Sequence, residues 1–289
     1  MSIATYVFFD IETTGLPCKE KNQTKITELT FVAASASEIQ STPLGSLPLV
    51  NKLSLLFNPK KKISSSAEKI TKLSNYSLSH QPEFKDRINT INAFLKELPK
   101  PVCLVAHNGN RFDYKIFAAE YEDANAEFPP DILCVDSLSG FRKILTNDSN
   151  ILKSRKQNKK TPIYTSSPNS SQNNIMTDDE DEWPELNVHN EEWREIDNLS
   201  LSLSNMSCSE KEIKCKDNND TAKEKISYSL SNLYKRLLKK EPIDAHRAEA
   251  DCLMLLECVI ATKSSFLAWA NDAVVPLHNI KPLQRQLGR

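Results

Sequence analysis

The stretch VFFDIETTGLP, Val7 to Pro17, sets two carboxylates, Asp10 and Glu12, two residues apart at the end of an apolar run. On a strand such a pair leaves the same face with backbones roughly 6 to 7 Å apart, a gap that a divalent cation can occupy. A solvated strand tip is the simpler alternative, since strand ends often carry acids. Gly15 and Pro17 then force a turn that brings backbone N–H groups beside the acids. A third acid, Asp113, follows the polar run His107, Asn108, Gly109, Asn110 and Arg111 in LVAHNGNRFDYKIF (104–117). It reads either as a helix N-cap or as a ligand on the loop at the carboxyl end of a strand. A fourth, Asp251, lies in DAHRAEADCLMLLECV (244–259), with His246 five residues earlier at the helix entry. A carboxylate beside an apolar helix stripe is costly unless a cation compensates it, and exposure of both residues is the competing structural reading.

The elements that must hold these groups show in the apolar pattern. TYVFFD (5–10), KITELTFVAASA (25–36) and KLSLLFNP (52–59) read as strands joined by short connections, an antiparallel start. Helical spacing follows in FKDRINTINAFLKEL (84–98), where Phe84, Ile88, Ile91, Leu95 and Leu98 share one face. VCLVA (102–106) and DILCVD (131–136) read as buried strands, DYKIFAAEYEDA (113–124) as the helix between them, and a further helix follows the second. SYSLSNLYKRLL (227–238), HRAEADCLMLLECVIATK (246–263) and SFLAWANDAV (265–274) read as late helices. The expected class is α/β, a mixed sheet of three antiparallel strands and then two parallel ones, flanked by helices.

The seven cysteines include no CxxC pair, so neither a disulfide framework nor a zinc site is indicated, and a reducing compartment is the simpler assumption. No basic leader with an apolar core and no run of about 18 apolar residues is present, so a soluble intracellular protein of cytoplasm or nucleus is expected, with no membrane contact. The formal charge of −1 hides a division along the chain. Residues 147–225 hold 11 Lys and Arg against 16 Asp and Glu, a net of −5, which leaves 26 against 22, a net of +4, for the rest. The apolar part is thus mildly basic, compatible with a phosphate-bearing partner. Residues 147–225 are also poor in aliphatics and read as a disordered insertion between 1–146 and 226–289, which form one domain. Its basic cluster KSRKQNKK (153–160) and acidic run DDEDEWPELNVHNEEW (178–193) suggest nuclear import or nucleic-acid contact and protein docking, or else a solvated tail.

The order D-x-E, D, H-x4-D resembles the DEDDh family of 3′→5′ exonucleases, which share an RNase H-like fold. FFDIETTGLP, KITEL, VAHNGNRFD, CVDSL, SYSLSNLYKRL and AHRAEAD resemble, in order, the strings of its three-prime repair exonuclease branch, over about 5–145 and 226–275. The long insertion departs from the usual core of that branch. The resemblance implies two Mg²⁺, with Mn²⁺ able to substitute, held by Asp10, Glu12, Asp113 and Asp251, and His246 as general base. It also implies a grip on the terminal nucleotide by Glu12, Thr13, Thr14, Leu16, Arg111, Phe112 and His246, with Leu16 wedged against the last base. The substrate implied is DNA 3′ ends, mainly single-stranded, and the assembly a homodimer through KLSLLF. A DEDDh exoribonuclease with the same chemistry remains an alternative, as does a non-catalytic scaffold protein that docks partners through its insertion.

Overall fold

A nine-residue strand, Thr5–Thr13 (β1), runs through the middle of the sheet with every residue but Asp10 and Glu12 buried. The computed structural model describes residues 2–146, 227–242 and 246–285. The insertion at 147–225 and both of its charged clusters lie outside the described residues.

β1 pairs antiparallel with Ile26–Ser35 (β2), which pairs antiparallel with Asn51–Leu56 (β3). On its other side β1 runs parallel to Val102–Ala106 (β4), and β4 parallel to Ile132–Asp136 (β5). The order is β3-β2-β1-β4-β5-β6, so the mixed sheet expected from the pattern is present with one addition. The addition is Val275–Pro276 (β6), antiparallel to β5. Two residues carry no alternation, which is why the pattern is silent there.

Helices cover both faces. Val7, Phe9 and Ile11 join a core with Ile88–Glu97 (α3) and Asp113–Asp123 (α4). Tyr6 and Phe8 join a second core with the helix over 137–146 (α5), Leu230–Leu238 (α6), Ala248–Ala261 (α7) and Lys263–Ala273 (α8). The stripe Phe84, Ile88, Ile91, Leu95 and Leu98 is buried as its spacing requires, although Phe84 sits in a 3₁₀ turn, Phe84–Arg87, that precedes α3. Two short helices, Ala36–Ser41 (α1) and Ser65–Thr71 (α2), escape the periodicity because neither completes two full turns. Each begins at a serine, Ser35 or Ser64, whose hydroxyl accepts an N–H of the first turn. Among the described residues no single helix is long and apolar enough to cross a membrane.

Two irregularities shape the carboxyl end of β1. Its pairing with β4 ends at Phe8 and Val105, whereas its pairing with β2 continues to Thr13. The last residues of β1 therefore present an open edge on the β4 side. The register with β2 also shifts between Glu12 and Thr13, a bulge of the kind that re-aims side chains at a sheet end.

Candidate active site

The pleat of β1 sends Phe9, Ile11 and Thr13 into the interior and leaves Asp10 and Glu12 half-buried on the face toward α7. There they meet Asp251, in the first turn of that helix. One carboxylate oxygen from each of Asp10, Glu12 and Asp251 lies within 4.8 Å of the other two. His246 precedes the helix with φ of +71°, a left-handed conformation that costs a residue with a Cβ on the order of 1 to 2 kcal/mol. Its N–H donates to Asp251 Oδ2 at 3.1 Å, so the turn that presents the imidazole is tied to the acid it accompanies.

Asp113 comes from the opposite layer. It is the first residue of α4, and the cap position belongs to Phe112, so Asp113 is not an N-cap by position. Its carboxylate, 4% exposed, accepts its own backbone N–H and that of Ile11. The Ile11 group is available because β4 stops short of it.

Burial and mutual repulsion hold these acids toward protonation. Asp10 lies well above its usual range through burial first, then through Asp251, Asp113, Glu12 and Glu28. Glu12 is raised in the same way, with Asp251 and Glu28 as its main charged neighbours. Burial lifts Asp113 to about 8 and Asp251 to about 6. Four acids that suppress one another's ionisation are what a divalent cation relieves, and an all-oxygen donor set suits a hard one. His246 is exposed, yet the atoms on its inner side displace enough water to lower the imidazole pKa. It is therefore neutral at pH 7.

The proposed substrate contacts are spread around this centre. Thr13 Oγ1 donates to the Gly15 carbonyl at 3.1 Å, and the fully buried Thr14 Oγ1 donates to Glu20 Oε2 at 2.7 Å and accepts the Lys25 N–H at 3.1 Å. Both hydroxyls thus serve the loop itself. Gly15 is packed so closely that a Cβ there would meet Glu20 Oε1 at 3.0 Å and Ser64 Oγ at 3.1 Å. Leu16 is half-buried on that loop, Phe112 is half-buried against the first core, and Arg111 is exposed.

The reading of the sequence assigned no role to several residues around the site. Glu28 on β2 stands directly across from Glu12 and is 3% exposed. It receives both Nε (3.0 Å) and Nη2 (2.8 Å) of Arg247 and the Ala248 N–H at 3.3 Å, and so caps α7 from another element. The available signal was an acid inside a strand otherwise suited to complete burial. Asp136, at the end of β5, accepts the N–H groups of Asn108 (2.9 Å), Asn110 (3.1 Å) and Leu138 (3.0 Å), which folds the loop that leads to Asp113. His107 is bonded through Nδ1 to Ser137 Oγ and through Nε2 to the Tyr228 carbonyl, both at 3.0 Å. Burial lowers its pKa to about 4, so it acts as a neutral strut.

Comparison with known proteins shows what the chain as a whole is similar to. Residues 7–166 match the exonuclease family (RNase T). The chain is 28% identical to three-prime repair exonuclease 1 of Bos taurus, over 97% of this chain and 70% of that protein. It is 26% identical to three prime repair exonuclease 2 of Mus musculus, over 96% of this chain and 92% of that protein. Among solved structures, an exonuclease I superposes with a TM-score of 0.53 at 13% identity, over 93% of this chain and 43% of that one, a likeness of fold.

Proposed function

Because the chain belongs to the exonuclease family, we propose that it is a divalent-metal-dependent 3′→5′ exodeoxyribonuclease that releases nucleoside 5′-monophosphates from single-stranded or frayed DNA ends, in DNA repair or clearance. The observation that carries this reading is the convergence of Asp10, Glu12 and Asp251 within 4.8 Å, with Asp113 electrostatically coupled to them. The names of the two relatives support the polarity and the repair context. Residues 1–146 and 226–289 would form the exonuclease domain, and the insertion between them a docking segment. β3 is an edge strand and half-exposed, which suits pairing of two copies. The protein would work inside the cell.

Two Mg²⁺, or Mn²⁺ in their place, would be held by Asp10, Glu12, Asp113 and Asp251. When bound, such ions make water nucleophilic, neutralise the phosphate and stabilise the leaving 3′ oxygen. The chain's residues supply the remainder. His246, neutral at pH 7, takes the proton of the attacking water at a ring nitrogen, and its backbone bond to Asp251 keeps it at the acid cluster. Backbone groups at Glu12 and Thr13 would face the terminal 3′-OH, on the part of β1 that lies beyond its pairing with β4. Leu16 and Phe112 offer apolar surface to the last bases, and Arg111 a cation to a phosphate.

Time courses on end-labelled DNA and RNA of one sequence, with Mg²⁺ and with EDTA, test the reading. Mononucleotides released from the DNA 3′ end, abolished by EDTA and by Asp113→Ala, are expected. Activity that survives either treatment overturns it, and faster loss of the RNA transfers the substrate to that class.

A further inference from the structure

Tyr76 is 90% exposed, the most exposed large apolar side chain among the described residues. The turn that presents it is nevertheless fixed. Asn75 Oδ1 accepts the Ile63 N–H at 2.9 Å, and Asn75 Nδ2 donates to the Lys61 carbonyl at 2.7 Å. Ser74 and Ser77 bond each other's backbone N–H groups, and Ser79 Oγ donates to the Tyr76 carbonyl at 2.8 Å. Leu73 and Leu78, on either side, are buried with Ile63 in a small cluster of their own. A ring held in water on so rigid a turn loses little freedom when something stacks on it.

The same segment reaches the loop after β1. Ser64 donates its N–H to the Thr14 carbonyl at 2.8 Å, and Lys61 Nζ reaches Glu20 Oε2 at 2.8 Å and the Gln23 carbonyl at 2.7 Å. Asn75 and Thr14 are thus bonded to successive N–H groups, those of Ile63 and Ser64, which sets them on the order of 10 Å apart, about two strand spacings. The surroundings are basic. Residues 59–80 contain five lysines and one acid, Glu68. Lys61 is committed to Glu20, whereas the exposed Lys60, Lys62 and Lys69 have no carboxylate partner among the described residues. The other exposed large apolar residues, Leu44, Leu47, Leu49 and Val275, belong to other segments, so Tyr76 is the lone exposed large ring of a lysine-rich stretch of sequence. A protein partner needs a contiguous apolar patch; a nucleobase needs one flat face, and its phosphates need cations.

We propose that Tyr76 with Lys60, Lys62 and Lys69 forms a second contact for the substrate strand, where a base upstream of the 3′ end stacks on the tyrosine and the lysines line the adjoining phosphates. This rests on the exonuclease reading. Anisotropy titrations of the full chain, with Ca²⁺ in place of Mg²⁺, use a labelled oligothymidylate of twenty residues and a thymidine dinucleotide too short to reach the turn. Tyr76→Ala should weaken the long probe about tenfold, Tyr76→Trp should restore it, and the dinucleotide should bind all three proteins equally. Replacing Lys60, Lys62 and Lys69 by Gln should flatten the slope of log Kd against log salt by about 2. With Mg²⁺, KM on the long strand should rise in Tyr76→Ala while kcat stays within twofold. Equal affinity of wild type and Tyr76→Ala for the long probe, an equal loss on the dinucleotide, or no binding by the wild type overturns the proposal. A wild type that binds the long strand in this pattern and releases no nucleotide refutes the exonuclease reading and leaves the contact standing.

Discussion

Asp113→Asn should make the metal-free protein more stable, although it removes a residue of the site. The Asp113 carboxyl is 4% exposed and its pKa is raised by burial from 3.8 to about 8. A native pKa above the unfolded one means that the folded state holds the proton longer. The stability associated with that proton is complete below pH 4 and is lost as pH rises toward 8. At pH 7 the unfolded chain has gained about 3.2 units of ionisation free energy that the native state forgoes, roughly 4 kcal/mol at 1.36 kcal/mol per unit. Asparagine cannot ionise in either state, but its single oxygen serves the N–H groups of Ile11 and Asp113 less well, a loss of about 1 kcal/mol. The net expectation is a gain of about 3 kcal/mol at pH 7, which shrinks to about 1 kcal/mol at pH 5.5. Urea unfolding in EDTA at the two pH values measures it. Saturating Mn²⁺ should stabilise the wild type by mass action and the variant less, so that the order narrows or reverses. A variant less stable than wild type at pH 7 in EDTA, or a gain that does not change with pH, would refute the electrostatic reasoning.

Arg247→Met removes both bonds to the 3%-exposed Glu28 carboxylate, and because the arginine itself is 45% exposed the loss should be about 2 kcal/mol in urea unfolding. Adding Glu28→Gln to Arg247→Met should recover part of that loss; a double variant no better than the single one would show that the buried charge is not the cause. His246→Ala should lower kcat by 10²–10⁴-fold, about the range of a general base, while calorimetric Mn²⁺ affinity stays near wild type. Loss of metal binding in that variant would reassign His246 to the metal site. Deleting 147–225 should leave the rate on a short single strand within about twofold, since the described acids all lie outside it; a collapse of the rate would make the insertion part of the active site.

Much of the acid cluster was legible in one dimension. A period of two puts Asp10 and Glu12 on one face wherever β1 forms, and the stripe of α7 fixes which side of that helix is buried, with Asp251 at its edge. The same logic located α3, α4 and the parallel strands β4 and β5, because each carries enough apolar residues for a period to show. Elements too short for a period, α1, α2 and β6, left no such trace. Family strings supplied the expectation of a common role for the acids, which no local spacing contains.

What the sequence determined by itself is therefore the residue types, their faces and the layers of the fold. Tertiary structure decided which atoms they meet. Glu28 and Arg247 lie 219 residues apart and are partners only because β2 places the acid across from Glu12 at the start of α7. Asp113 finds the Ile11 N–H only because β4 ends early, and Asn75 is held ~10 Å from Thr14 only by the segment between them. Periodicity records which face a side chain leaves, and so it is inherited from local backbone geometry. Hydrogen-bond partners and shifted pKa values depend on where separate chains end and how closely they pack, distances that no single stretch of sequence carries.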